Sequence, residues 1–246
     1  YKRQEERNPA ILFKCVKNPT EVENIRIAEI KDSVAHVRFM KWLKENVGKE
    51  TITEMSASDK LDEFRAEMGG FIRPSFGPIS AFGEHSAIVH YSSSPETNVE
   101  LHEGTFLMTD TGAGFYEGST DITRTYAFGE VSQIMKDHFT LVAISNLNLA
   151  SPIFKKGCCG MNFDYLARKP FWDRGLDFNH GTGHGVGYLL NIHEGPAGFR
   201  YTYRAGESDA FQPGMVITDE PGIYIEGSHG VRLENELLVC EGEKNE

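Results

Sequence analysis

No stretch of the 246 residues approaches 18 consecutive apolar positions, so the chain offers no helical membrane span. Positive charge is scarce as well: 25 Lys and Arg stand against 36 Asp and Glu, a formal net charge of −11. That balance excludes the basic stripe of a nucleic-acid binder and weakens attraction to anionic lipid. Cysteine is sparse. Cys15, Cys158, Cys159 and Cys240 show no C-x-x-C spacing, so neither a thiolate metal site nor a disulfide framework is indicated. Reduced thiols in a cytoplasmic compartment are the reading that fits. The start, Tyr1-Lys2-Arg3-Gln4, has no initiator Met and no apolar signal core, which reads as a piece cut from something longer. With 39% hydrophobic and 25% charged residues, the rest is the composition of a soluble globular protein of one or two domains.

Residues 1–15 are charged, then mixed, and read as a linker or entering strand. Thr20 and Glu23 form a capping box for a long helix. Its inward stripe is Ile27, Ile30, Val34, Val37, Met40, Leu43 and Val47, at steps of three and four. A shorter helix covers about Glu54–Met68. Strands are expected at Ser86–Tyr91, Thr105–Phe115 and Ser119–Phe128. The order then repeats: helices at about Ser132–Phe154 and Asn162–Arg174, a Gly-rich loop, and strands near Met215–Ile225 and Val231–Cys240. Two helices followed by strands, twice, predict a duplicated α+β fold whose halves share one sheet.

Asp110, Asp121, His184, Glu220 and Glu234 stand out, each within a segment of glycine and β-formers. A hairpin turning at Phe115-Tyr116 sets Asp110 opposite Asp121, with about 5 Å between Cβ atoms. A turn at Glu117-Gly118 pairs Asp121 with Gly114 instead. Turn chemistry favours the second register and shared ligation the first, which is adopted here. Glu220 and Glu234 are symmetric about Gly227, so a hairpin turning there joins them. A lone acid on a strand is ordinarily a solvated charge, but two symmetric pairs with a histidine are not. Four clustered carboxylates carry −4, which two divalent ions would neutralise and without which burial would be costly.

Gly181-Thr182-Gly183-His184-Gly185-Val186-Gly187 fails as G-x-G-x-x-G, because Val186 and Tyr188 occupy the last positions. It reads as a loop that lets substrate and metals approach the backbone. His193 begins His-Glu-Gly-Pro, which excludes the H-E-x-x-H zinc helix. His90, ending Ala87-Ile88-Val89-His90, and His193 each read on their own as core imidazoles.

The segments Asp110-Thr111-Gly112, Thr120-Asp121-Ile122-Thr123-Arg124-Thr125, His180 to Gly187, Asp219-Glu220-Pro221-Gly222 and Arg232-Leu233-Glu234-Asn235 resemble the metal-site motifs of Xaa-Pro aminopeptidases. These belong to the creatinase/methionine aminopeptidase, or pita-bread, superfamily, and the resemblance runs from about residue 15 to 240. It implies the pita-bread fold around a curved antiparallel sheet, with residues 16–246 as a dimetal catalytic domain of a longer chain. It also implies two divalent ions, Mn(II) first and Zn, Co or Fe as alternatives. Asp110, Asp121, His184, Glu220 and Glu234 would hold them, Asp121 and Glu234 bridging both. His90 and His193 fall on positions that contact substrate, which reverses their reading as core residues. Glu220 would accept the proton of the attacking water and pass it to the leaving proline nitrogen, and Arg232 would stand beside the bridging Glu. The implied partners are peptides with proline second, and a second copy of the intact protein as a homodimer. Rival readings are an Xaa-Pro dipeptidase, a methionine aminopeptidase and a non-catalytic peptide-binding module.

Overall fold

The computed structural model describes residues 7–243. A short helix α1 (Ala10–Cys15) precedes the long α2 (Pro19–Asn46) and α3 (Glu54–Glu67). The linker expected over residues 1–15 is therefore helical from Ala10, and its first six residues lie outside the described residues. Six strands follow: β1 (Phe71–Pro74), β2 (Ile79–Phe82), β3 (Phe106–Thr111), β4 (Ala113–Phe115), β5 (Gly118–Ser119) and β6 (Ile122–Ala127). The second half repeats the order with α4 (Gln133–Ala150) and α5 (Asp164–Trp172). Its strands are β7 (Gly183–His184), β8 (Gly198–Phe199), β9 (Val216–Asp219), β10 (Gly222–Ile225), β11 (His229–Arg232) and β12 (Asn235–Leu238). This is the duplicated α+β order expected. Among the described residues no helix is long and apolar enough to cross a membrane.

The cap of α2 is two residues earlier than expected. Asn18 accepts the N–H groups of Thr20 and Glu21, and Glu21 returns a bond to the Asn18 N–H. Pro19 at the first helical position makes Asn18 the natural cap, ahead of Thr20. The inward face differs too. Ile25, Ala28, Asp32, Ala35, His36, Phe39 and Leu43 are buried, whereas Ile27, Ile30, Val34 and Val37 are exposed, Ile30 by 64%. Polar residues can turn inward because Arg65 of α3 forks onto Asp32 at 2.8 and 3.1 Å. Thr120 also donates to Asp32, and His36 meets the Tyr126 hydroxyl at 2.9 Å. A buried pair so fully bonded leaves the face free to carry small Ala28 and Ala35 against the sheet.

All strand pairs are antiparallel, in short sheets ordered β2-β3-β6, β1-β4-β5, β9-β12, β10-β11 and β7-β8. Two long interrupted hairpins organise them. In the first, β3–β4 returns as β5–β6, with Phe115 facing Gly118 and Asp110 facing Thr123. In the second, β9–β10 returns as β11–β12, with Ile225 facing His229 and Asp219 facing Asn235. Phe39, Leu43, Leu61, Leu107 and Tyr126 pack beneath α2 and α3. Leu141, Phe106, Phe171, Phe178 and Val231 pack beneath α4 and α5.

The segment Ser86–Tyr91 is not the strand expected. Gly83–Ala87 is a 3-10 turn, closed by Ser86 donating to the Gly83 carbonyl at 2.6 Å. The fully buried Glu54 carboxylate draws it in, accepting Phe82 N–H at 2.7 Å and Tyr91 O–H at 2.9 Å.

Candidate metal centre

Both hairpins break where the acidic residues sit. The first breaks at Gly112 on one arm and Thr120-Asp121 on the other; the second breaks at Glu220-Pro221 and Leu233-Glu234. A break frees side chains from the alternation of a continuous ladder and lets the hairpin bend.

Register decides which acids meet. The second hairpin is symmetric about Gly227, so Glu220 and Glu234 face one another across the break, as the spacing predicted. Gly227 takes φ 68°, the left-handed conformation that glycine adopts without strain. The first hairpin is symmetric about the Tyr116-Glu117 peptide, between the two registers weighed above. Asp110 faces Thr123, and Asp121 lies diagonally two residues away rather than opposite. The cause is Phe115, which is fully buried against Phe71 of β1 and stays in the strand, while Tyr116 is exposed and turns.

His184 is carried by β7, and its N–H donates to the Thr218 hydroxyl of β9 at 2.9 Å. Its Nδ1 lies 2.9 Å from the Gly185 carbonyl and so carries the proton, leaving Nε2 free. Nε2 stands 3.4 Å from Asp121 and 3.7 Å from Glu220. Asp121, His184 and Glu234 each offer a ligand atom, all within 4.8 Å of one another. Thr123 donates to Glu234 at 2.6 Å and Thr218 to Glu220 at 3.2 Å, which orients both carboxylates.

Burial, then the charges of Asp110 and Glu220, push the Asp121 carboxyl well above its ordinary range. Burial, then Asp121 and Glu220, do the same to Glu234. Burial raises Glu220 against the pull of His184. Carboxylates crowded out of water beside an unprotonated imidazole nitrogen are the donor set of a divalent cation, so these residues fit such a group.

Asp110 is held differently. Arg232, itself buried, donates to it through Nε at 3.1 Å and through a second guanidinium nitrogen. Arg232, expected beside the bridging Glu234, thus makes its carboxylate contact with Asp110 instead. Burial pulls the guanidinium down, but Tyr224 and Asp110 outweigh it and hold it well above its ordinary range. Arg232 also donates to the Tyr224 hydroxyl at 2.6 Å, and Tyr224 lies 2.8 Å from His180 Nε2. His180 Nδ1 is 2.7 Å from the Gly181 carbonyl, so Nε2 is the acceptor and Tyr224 the donor. Burial, then Arg232, lower His180 to about 3, so it stays neutral. Sequence reasoning missed Tyr224 and His180. Tyr224, four residues past Glu220 on β10, carries no signal of its own, whereas His180 opens the glycine run and was open to notice.

Asp110, Asp121, His180, His184, Glu220, Arg232 and Glu234 line a cleft of about 930 Å³ that also takes in His90, His193, Arg200, Arg204 and Glu207. His90 stands on a loop rather than a strand end. The His193 ring lies edge-on to His184, 4.3 Å between centroids. Burial, then His184, lower the His193 pKa. Two glycines of the run, Gly181 and Gly183, line the cleft, and the run also packs tightly on its neighbours. A Cβ on Gly183 would sit 1.9 Å from the Thr218 carbonyl oxygen, and one on Gly185 2.0 Å from that of Glu194. These glycines let backbone pack on backbone.

The family model for metallopeptidase family M24 matches residues 23–241. The chain is 40% identical over 242 residues to the probable Xaa-Pro aminopeptidase P of Botryotinia fuckeliana, covering 98% of this chain and 37% of that one. It is 38% identical to Xaa-Pro aminopeptidase 1 of Dictyostelium discoideum, covering 95% and 38%. The chain therefore spans somewhat over a third of these relatives. Among solved structures, the X-prolyl aminopeptidase of Caenorhabditis elegans, a cytosolic enzyme with a di-nuclear active site, aligns with TM-score 0.88 at 35% identity, covering 93% and 37%. The prolidase of Pyrococcus furiosus aligns with TM-score 0.81 at 29% identity, covering 94% and 64%. With a family match over nearly its whole length and the α+β pita-bread fold of these neighbours, the chain belongs to metallopeptidase family M24.

Proposed function

We propose that the cleft is the active site of an Xaa-Pro aminopeptidase within a longer protein, and that Asp110, Asp121, His184, Glu220 and Glu234 hold two divalent ions there, Mn(II) foremost. The observation that carries this reading is the convergence of Asp121, His184 and Glu234 ligand atoms within 4.8 Å beneath the cleft. When bound, two such ions lower the pKa of a shared water and polarise a carbonyl.

The chain's own groups supply the rest. Glu220, oriented by Thr218, accepts the proton of the attacking water and returns it to the leaving proline nitrogen. His193, kept neutral, retains one N–H to donate to the developing oxyanion, a contribution of about 3–4 kcal/mol for a well-placed donor. His90 contacts the peptide across the cleft. Arg232 holds Asp110 against rotation and keeps its charge compensated. The substrates are peptides with proline second, whose scissile imide carries no N–H. The cytosolic setting of the Caenorhabditis elegans neighbour supports a cytoplasmic one here.

The test is cleavage, by the intact protein with Mn(II), of Xaa-Pro-Yaa, Xaa-Pro and Met-Ala-Yaa peptides, read by mass spectrometry. Release of Xaa from Xaa-Pro-Yaa ahead of the other two is expected. Preference for the dipeptide would make it a prolidase. Two bound ions without cleavage would make it a binding module.

A further inference from the structure

His193 makes no side-chain hydrogen bond with the described residues, yet the proposed chemistry needs its N–H at a fixed place. What fixes it is backbone. The loop from His184 to His193 closes on itself: Glu194 N–H donates to the Gly185 carbonyl at 2.7 Å, and Gly187 N–H to Asn191 at 3.2 Å. A buried side chain from elsewhere in the chain ties both ends of this closure together. Lys17, in the turn between α1 and α2, has a side chain only 1% exposed. Its ammonium donates to the Val186 carbonyl, to the Glu194 carboxylate at 3.1 Å and to the Cys15 carbonyl at 3.4 Å. Three donors meet three acceptors, so a charge that burial would otherwise forbid is fully matched.

Both loop contacts adjoin the site. Val186 is two residues past His184, and Glu194 directly follows His193. The main chain of Lys17 is itself fixed, its N–H donating to the Gly214 carbonyl at 2.9 Å, beside a bridge between Val16 and Met215 at the entry to β9. Val186 N–H donates to Val216 of β9 at 3.0 Å. One element thus anchors Lys17, and Lys17 gathers both ends of the loop onto it. Lys14 meets the other Glu194 oxygen at 2.9 Å from the solvent side.

We propose that Lys17 is a positioning residue, clamping Val186 and Glu194 so that His193 is held at a fixed distance from His184. The proposal rests on the aminopeptidase reading for its catalytic consequence, but the clamp itself can be read without turnover.

The test compares Lys17→Met with the double variant Lys17→Met/Glu194→Met in the intact protein. The double variant leaves no unpaired buried charge, so stability returns while the clamp stays broken. In Lys17→Met, kcat for Xaa-Pro-Yaa is expected to fall about tenfold to a hundredfold, with KM within about threefold and both ions retained. Amide exchange in residues 186–195 accelerates about tenfold or more in both variants, and kcat stays low in the double variant although its Tm recovers. Recovery of kcat together with Tm would show that Lys17 only balances a charge and would overturn the proposal. If the wild-type protein cleaves no such peptide, the aminopeptidase reading falls, and the exchange arm still decides the clamp: unchanged protection of residues 186–195 overturns it.

Discussion

The two walls of the cleft are built by different means. On one, Asp110, Asp121, Glu220 and Glu234 come from two hairpins, and backbone register alone decides which carboxylates meet. On the other, His90 and His193 stand on loops, and buried charges far off in sequence hold those loops: Glu54 gathers Phe82, His85 and Tyr91, and Lys17 gathers Val186 and Glu194. Register is a local property, because a strand pair is fixed once its turn is. Loop placement is not, because the Lys17–Glu194 pair spans 177 residues.

If the hairpin wall holds the ions, its damage is the largest. Asp121→Asn removes a charge at the centre of the cluster and is expected to lower kcat/KM about a thousandfold or more, at about tenfold per 1.4 kcal/mol, with Tm of the metal-free protein unchanged or raised. Gly183→Ala tests the backbone packing behind His184. A Cβ 1.9 Å from the Thr218 oxygen forces β7 off β9, and thermal unfolding should show a loss of about 3 kcal/mol. Arg232→Met releases Asp110 and Tyr224 together and should cost about 10–100-fold in metal affinity or kcat, read by metal titration and steady-state assay. On the loop wall, Glu54→Gln weakens the charge-assisted bonds that curl the His90 loop. It is expected to lower stability by about 2 kcal/mol and raise KM more than it lowers kcat.

Changing pH probes the same carboxylates without mutation. Asp121, Glu220 and Glu234 have raised pKa values through burial and mutual repulsion, and Asp219 is raised by burial, then Glu220, to about 9. Carboxyls that hold protons more tightly folded than unfolded favour the folded state in acid. Metal-free protein should therefore lose stability as pH rises from the ordinary Asp value of 3.8 towards about 9, and Mn(II) should reverse the loss near neutrality. A Tm series with and without Mn(II) checks both signs.

The same contrast explains what could be read in the sequence. Glu220 and Glu234 were legible because Gly227 marks one turn between them. Asp110 and Asp121 were legible as a pair but set directly opposite, because shared ligation was given more weight than turn chemistry; buried Phe115 holds the strand one residue longer, so Asp110 faces Thr123 instead. On α2, Leu43 and Val47 face inward as expected, but Ile27, Ile30, Val34 and Val37 do not, because the helix turns Asp32 and His36 towards α3, where Arg65 compensates the buried charge, and Arg65 lies on another helix. Lys17 and Glu54 left no trace, since nothing in the periodicity marks a charge that will be matched at long range.

Metal stoichiometry tests the centre of this account most directly. Metal-free intact protein titrated with Mn(II) should take up two ions per chain, and the Asp121→Asn variant one or none. No binding by the wild-type protein, or an undiminished two ions in the variant, would contradict it.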